Sequence, residues 1–515
     1  MKRIVFLLAL VPGIAVAQAP RELDRFVESV MKEFEVPGVS VAIVKDGKVV
    51  VAKGYGVRSL GQPARVDAKT NFGIASNTKI FTATALALLV EEGKIQWDAP
   101  VIRYMPAFAM YDPFVTREIT VRDLLVHRSG LGLGAGDLLW WPESTYDRKQ
   151  IVQRLRYIKP ATSFRSAYAY DNVLYTVAGE LIETVSGKKW EDFVAERILR
   201  PVGMTGSTVL HSAAGQSGNV AGTHAAVEGV VKAVPPMTSD NTNPAGGINS
   251  SAEDMAKWLI VQLDSGRLPD GKQLFRPTTT RQLWTIVTPQ NAGNPAPELQ
   301  GHRTWVAGYA LGLGVRSFRG RQMLTHTGGL PGYLSKVTMV PDIKLGIAVL
   351  TNQESSAAFD AISYHIVDSY LGIDSIDYLA AYSAIDKRNK AAVAKMDQVS
   401  AAARDTASRP SLPIGAYAGV YRDEWYGDVV VTAQPDGKLG IKFTKTPSLV
   451  GDLVHWQHDT FLARWHDRTL RADAFVTFSL LPDGRIDQAR MLPASPAVDF
   501  SFDFQDLVLE RITIE

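Results

Sequence analysis

A serine and a lysine three positions apart, in Ser76-Asn77-Thr78-Lys79, are the residues of this chain best placed to do covalent chemistry. Residues three apart on a helix are surface neighbours, so the Lys79 amine comes within hydrogen-bond reach of the Ser76 oxygen. A serine hydroxyl attacks a carbonyl only when something takes its proton, and a desolvated lysine with a depressed pKa can do so. The tetrad alone is common, and a solvated helix turn is its everyday meaning. Here it opens a run from Ile74 to Val90 that is apolar on nearly every side, closed by Gly93. Such a helix belongs inside a domain. A hydroxyl and an amine in its first turn must therefore face a cleft or be paired, because burying a bare ammonium is costly. The free N–H groups of that turn also favour negative charge developing beside Ser76.

The elements that must position this turn are legible on both sides of it. An amphipathic helix is expected from about Arg21 to Phe34, ended by Pro37-Gly38. Val39 to Val44 and Lys48 to Ala52 form a hairpin around Asp46-Gly47, a type I′ signal. Helices follow near Arg122 to Val126, Val173 to Val185 and Ala252 to Leu263, and strands run from Tyr309 to Gln353. Strands at both ends of one unit, with helices between, imply an α+β fold with one antiparallel sheet completed by both ends. From about Asp386 to Pro413 the composition shifts to a solvated helix and a Pro-containing linker. Beyond it, alternating runs around Pro435-Asp436-Gly437 and Pro482-Asp483-Gly484 read as a small all-β domain, a barrel or half-barrel.

Composition narrows the function classes. The chain has 515 residues, enough for more than one core. Met1 to Ala17 reads as a signal peptide: Lys2 and Arg3, an apolar centre, then Ala15-Val16-Ala17. Export to a periplasm or the medium is the expectation, with no membrane span once the leader is removed. The formal charge of +2 equals the two charges of that leader, and no basic run is interleaved with aromatics, so nucleic-acid binding has no support. Without cysteine there is no disulfide, thiolate nucleophile or thiolate metal site.

Two more motifs follow the tetrad: Tyr170-Asp171-Asn172 before an apolar helix, and His326-Thr327-Gly328-Gly329 on a strand. Together the three resemble the serine β-lactamase and penicillin-binding-protein superfamily, in its class C β-lactamase, D-aminopeptidase and esterase branch. The resemblance covers roughly residues 20 to 380, within a catalytic domain read as 20–385. Thr120-Val121-Arg122-Asp123-Leu124-Leu125, His127-Arg128-Ser129-Gly130-Leu131 and Pro244-Ala245-Gly246-Gly247-Ile248 support it. It implies a sheet flanked by helices plus an all-helical lobe, followed over residues 414–515 by a lipocalin-like domain. It also implies that Ser76 is acylated while Lys79 and Tyr170 share the proton work, a cationic Lys79 lowering the phenol's pKa. Asn172 would hold the substrate amide and orient Lys79, and the amides of Ser76 and Gly329 would form the oxyanion hole. Thr327 would contact the substrate, and Gly328 and Gly329 would let its backbone lie along the strand. His326 stands where many relatives have lysine, which points away from efficient β-lactam hydrolysis and towards a peptidase or esterase.

The expected function is an exported serine hydrolase acting on a small molecule or short peptide through an acyl-enzyme, with no cofactor and no metal. A true β-lactamase, tested with nitrocefin, and a non-catalytic penicillin- or peptidoglycan-binding protein stay open. So do the substrate's stereochemistry and the oligomeric state. Several other features carry structural readings instead. Ser239-Asp240-Asn241 runs into a Pro-Ala-Gly-Gly loop, and His127-Arg128-Ser129-Gly130 follows a helix as a turn. His455, His458 and His466 sit on strand-like flanks, and Trp140 and Trp141 either pack under a loop or line the cleft mouth.

Overall fold

A computed structural model describes residues 18–512 apart from residue 436; the leader read at 1–17 lies outside the described residues. The first hairpin forms as its turn requires. Strand β1 (Gly38–Lys45) returns as β2 (Lys48–Gly56) through Asp46 and Gly47, both at positive φ (52° and 75°). The later strands are β3 (Thr288–Gln290), β4 (Ala307–Tyr309), β5 (Gly314–Phe318), β6 (Arg321–Leu330), β7 (Tyr333–Val340) and β8 (Leu345–Thr351). They join the hairpin in one eight-stranded antiparallel sheet of order β2-β1-β8-β7-β6-β5-β4-β3. The sheet is thus completed from both ends of the catalytic unit, as the α+β reading expects.

Alternation along β1 divides the core between the two faces of this sheet. Val39, Val41 and Ile43 point to one face, under helices α1 (Leu23–Glu33), α5 (Ser356–Leu371) and α6 (Tyr378–Ala402). Ala42 and Val44 point to the other, where α2 (Lys79–Glu91), α3 (Val173–Ser186) and α4 (Ala252–Leu263) pack within a helical lobe. Every residue of α2 from Lys79 to Leu89 is buried. Each Leu, Ile or Phe among them contributes roughly 1.5–3 kcal/mol by leaving water, which holds the serine's helix rigidly at the centre.

Helix α6 begins at Tyr378, ahead of Asp386 where the solvated helix was expected, and runs to Ala402. Tyr378, Ala381, Tyr382 and Ser383 at its start are buried and the rest is mostly exposed. The chain then enters a closed barrel of eight antiparallel strands between Gly419 and Ile512. Between its last two strands a strap of residues 494–507 leaves the barrel wall and lies on the catalytic unit. There the Gly136 N–H donates to Asp503 Oδ2 at 2.6 Å. Elsewhere Arg471 grips Glu354 at 2.7 and 2.9 Å, and the Thr145 N–H donates to the Lys445 carbonyl at 2.8 Å. Among the described residues no helix is long and apolar enough to cross a membrane.

Candidate active site

The turn before Ser76 is bent by Ala75, a non-glycine residue at φ 50°. Such a conformation is strained for alanine and persists only where the surroundings enforce it. A Cβ on Gly328 would come 2.3 Å from the Ile74 carbonyl oxygen and 2.9 Å from Ala75 Cβ. The missing side chain therefore lets strand β6 press against the nucleophile's turn. Asn77 Nδ2 donates to Ser335 Oγ at 2.8 Å, and that hydroxyl donates to the Ile74 carbonyl at 2.7 Å. Residues Ala75–Thr78 form a tight 3₁₀ turn before α2, leaving Ser76 in a first turn whose amides lack intrahelical partners.

Lys79 is fully buried, and burial lowers its pKa from 10.5 to about 7 against the opposing charges of Asp137 and Asp171. Its Nζ lies 3.0 Å from Ser76 Oγ, 2.7 Å from Asn172 Oδ1 and 3.0 Å from the Ala245 carbonyl. The last two partners can only accept. A neutral amine has two N–H bonds and one lone pair. Asn172 and Ala245 take both N–H bonds, so the lone pair is left facing the serine hydroxyl, which is the arrangement a base requires.

Tyr170 approaches Ser76 from another side, its hydroxyl donating to Oγ at 2.8 Å. Burial raises its pKa well above 10, outweighing the bond to Ser76. The direction is opposite to the expected lowering of this phenol by Lys79, because desolvation outweighs the neighbouring charge. Beneath it the fully buried His127 ring packs at a tilt, 4.4 Å between centroids, and accepts the Asp171 N–H at 3.2 Å. Arg128 and Arg165 close the same turn on Asp123. The His-Arg-Ser-Gly phrase is thus a structural turn that shapes the floor of the site.

His326 has both ring nitrogens occupied: Nδ1 faces the Thr327 carbonyl at 2.6 Å and Nε2 the Tyr309 hydroxyl at 2.8 Å. Burial lowers its pKa to about 3, so the ring is neutral. The Pro331-Gly332 turn makes Leu330 and Tyr333 the closing pair of β6 and β7, so Gly328 and His326 also bond towards β7. Thr327 and Gly329 then aim their backbone groups at the opposite edge, which β5 leaves open beyond the Thr325–Gly314 pair. The Gly329 N–H and the first-turn amide of Ser76 are the candidate oxyanion donors.

Several residues of the site have no signal in the motifs. Asp137 is buried, with Oδ2 accepting from Asn172 Nδ2 at 2.8 Å and Oδ1 from Trp140 Nε1 at 2.9 Å. Holding the amide nitrogen fixes which end of Asn172 faces Lys79. Burial raises the Asp137 pKa to about 7 against the bonds from Trp140, Asn172 and Ser501. Ser501, from the barrel's strap, donates to Asp137 Oδ2 at 2.9 Å, and Phe500 packs edge-on against Tyr170. Ala245 lies in the quoted Pro-Ala-Gly-Gly-Ile phrase, but its carbonyl role is visible only in three dimensions.

The cleft over Ser76 encloses about 400 Å³. Trp140 and Trp141 both pack and line it. Ser239-Asp240-Asn241 lies elsewhere, Asp240 accepting from Ser212 at 2.5 Å and Asn241 donating to the Tyr146 carbonyl at 3.0 Å. His455, His458 and His466 do not converge; the first faces the His458 carbonyl at 2.9 Å and the last faces Asp452 at 3.3 Å. Among the described residues no group of three His, Cys, Asp or Glu is arranged to hold a metal.

Comparison with known proteins identifies the family. The family model described as Beta-lactamase matches residues 23–370, and a domain of unknown function, DUF3471, matches residues 403–511. The protein named unguisins hydrolase ungD' from Aspergillus campestris is 30% identical over 90% of this chain and 88% of its own length. The octameric penicillin-binding protein homologue from Pyrococcus abyssi superposes with a TM-score of 0.58 at 22% identity, covering 92% of this chain and 98% of the other. A D-stereospecific amidohydrolase from Streptomyces sp. gives 0.50 at 23% identity, over 64% of this chain and 94% of its own. This chain belongs to the beta-lactamase family of serine hydrolases.

Proposed function

We propose that this protein is an exported amide hydrolase that works through an acyl-enzyme on Ser76. The observation that carries the reading is the Lys79 amine, whose two N–H bonds are taken by Asn172 and Ala245. In that reading Ser76 Oγ attacks the carbonyl as its proton passes to Lys79, and the amides of Ser76 and Gly329 receive the oxyanion. On collapse the leaving nitrogen takes a proton from Tyr170, which Lys79 restores. Water then attacks the ester, the same pair accepts its proton, and Ser76 regains its hydrogen.

A hydrolase-named relative and an amidohydrolase of the same fold support amide cleavage. The charge of the cleft favours a peptidase or esterase over antibiotic resistance. Among the described residues lining the cleft there is no Arg or Lys, and His326 is neutral, so no cation there pairs with a β-lactam carboxylate. The test is intact-mass analysis after a fluorophosphonate. A single adduct on the wild type and none on Ser76→Ala is expected; a wild type that never labels defeats the reading. Nitrocefin turnover as fast as that of simple amides would defeat the preference.

A further inference from the structure

The two acceptors that aim the Lys79 lone pair are held in different ways. Asn172 is fixed by its own bond to Asp137. The Ala245 carbonyl belongs to a single helical turn, Asn243–Gly246. A helix that short has almost no stability of its own, so its neighbours must set where the carbonyl points.

Those neighbours are buried and specific. Thr82, one turn along α2 from Lys79, donates from Oγ1 to the Pro244 carbonyl at 2.6 Å, one peptide before the carbonyl that Lys79 uses. Trp190 Nε1 donates to the same Oγ1 at 3.0 Å. A hydroxyl has one proton, and with an N–H already on its oxygen that proton is committed to Pro244. Thr82 and Trp190 are both fully buried. On α3, a Cβ at Gly179 would come 2.2 Å from Pro244 Cγ, so the proline ring sits directly on that helix. Glu191, next to Trp190, accepts from Asn243 Nδ2 at 2.9 Å, and the Ile248 N–H donates to Thr78 Oγ1 at 3.1 Å. The segment is thus pinned at Asn243, Pro244 and Ile248, with the Ala245 carbonyl between the pins.

The behaviour of Thr82 is unusual for its position. A threonine inside a helix commonly bonds the carbonyl four residues back, as Thr84 does with Ile80 at 2.8 Å. Thr82 instead sends its proton out of the helix to the loop. If the Pro244 peptide were released, the Ala245 carbonyl would drift from Lys79 and free one N–H of the neutral amine. That N–H can turn to Ser76 Oγ, which puts the lone pair elsewhere. The lost acceptor also serves an ammonium better than an amine, so its loss moves the titration of the base to lower pH.

Resting on the acyl-enzyme reading, we propose that Thr82 and Trp190 are positioning residues for the base. The chain Trp190–Thr82–Pro244 holds the Ala245 carbonyl where it takes one Lys79 N–H, and so keeps the lone pair on Ser76. Neither side chain lines the Ser76 cleft, so both act through the loop.

The test follows the rate of Ser76 labelling by a fluorophosphonate from pH 5 to 9 on the full chain, beside thermal unfolding. Thr82→Val removes the proton donor and should lower the plateau rate about 10- to 100-fold. It should also move the midpoint of the profile down by about half a pH unit or more. Thr82→Ser, which keeps the hydroxyl, should restore both. Asp137, Asp171, Tyr170, Tyr175, His127 and His326, the titratable groups around Lys79, are unchanged in these variants. Thr84→Val loses a buried hydroxyl bond of the same kind and should cost stability while leaving rate and midpoint as they are. Trp190→Phe should lower the rate about 2- to 10-fold, with the midpoint moving in the same direction as in Thr82→Val. A Thr82→Val protein that is destabilised like Thr84→Val but keeps the wild-type plateau and midpoint overturns the proposal. So does a Thr82→Ser protein no faster than Thr82→Val. If Thr82→Val does not fold, Trp190→Phe decides, and a wild-type profile there overturns the proposal. If the wild type never labels, the acyl-enzyme reading itself fails.

Discussion

At Lys79, three hydrogen-bond partners surround a nitrogen that has only two N–H bonds when it is ready to act. Burial brings its pKa to about 7, so acid restores the third proton and occupies the lone pair that Ser76 needs. The expected pH profile of kcat/KM therefore rises about tenfold per unit below pH ~7 and levels above it. An ordinary lysine would keep the rate climbing towards pH 10, and measurements from pH 5 to 9 separate the two. The midpoint belongs to Lys79 and Asp137 together, because both are buried and Asn172 joins them. Tyr170→Phe removes the donor to Ser76 Oγ without emptying the space, and should lower kcat by about 10²–10⁴-fold while leaving the fold intact by circular dichroism. The Ser76–Lys79 contact was legible because helix geometry alone predicts it. The upward shift of the Tyr170 pKa was not, because it depends on solvent exclusion by rings that the chain brings together from three separate stretches, around His127, Tyr170–Tyr175 and Tyr309.

Among the elements, the contact between β6 and the turn before α2 has the least room to give. Gly328→Ala places a methyl against the Ile74 carbonyl, so the turn must shift and Ser76 with it. Misplacing a nucleophile by about 1 Å costs about 10²-fold, and the fluorophosphonate labelling rate should fall by at least that much. Gly329→Ala meets only Leu334 Cδ2 at 3.2 Å, and the same assay should register a smaller loss. The strap is the second sensitive element. Ser501→Ala deletes one bond to Asp137, about 0.5–1.5 kcal/mol, so kcat should drop roughly 2- to 10-fold while Ser76 still labels. The hairpin at Asp46-Gly47 and helix α4 were readable because their signals are local. The strap was not, because Asp137 and Ser501 lie 364 positions apart and no spacing rule links a Gly-rich loop to a barrel crossover.

In the whole molecule the two cores merge. One continuous cluster of buried apolar residues runs from Leu86 and Trp258 to Phe443 and Phe504. The interface adds the Arg471–Glu354 pair and the Gly136–Asp503 bond. Residues in contact share their free energy of unfolding, so calorimetry should record one transition rather than two. Two transitions separated by several degrees would show that the barrel is only tethered.

The Ser501–Asp137 bond also sets a schedule. Translation delivers Ser76, Lys79 and Asn172 early, on a catalytic unit that can begin to fold while the barrel is still being made. Asp137 then waits for a residue 364 positions further on, and the cleft lacks its last wall until that segment arrives and docks. A nascent chain halted before the strap holds its nucleophile without the full set of bonds that aims it, so hydrolytic competence comes late in biosynthesis.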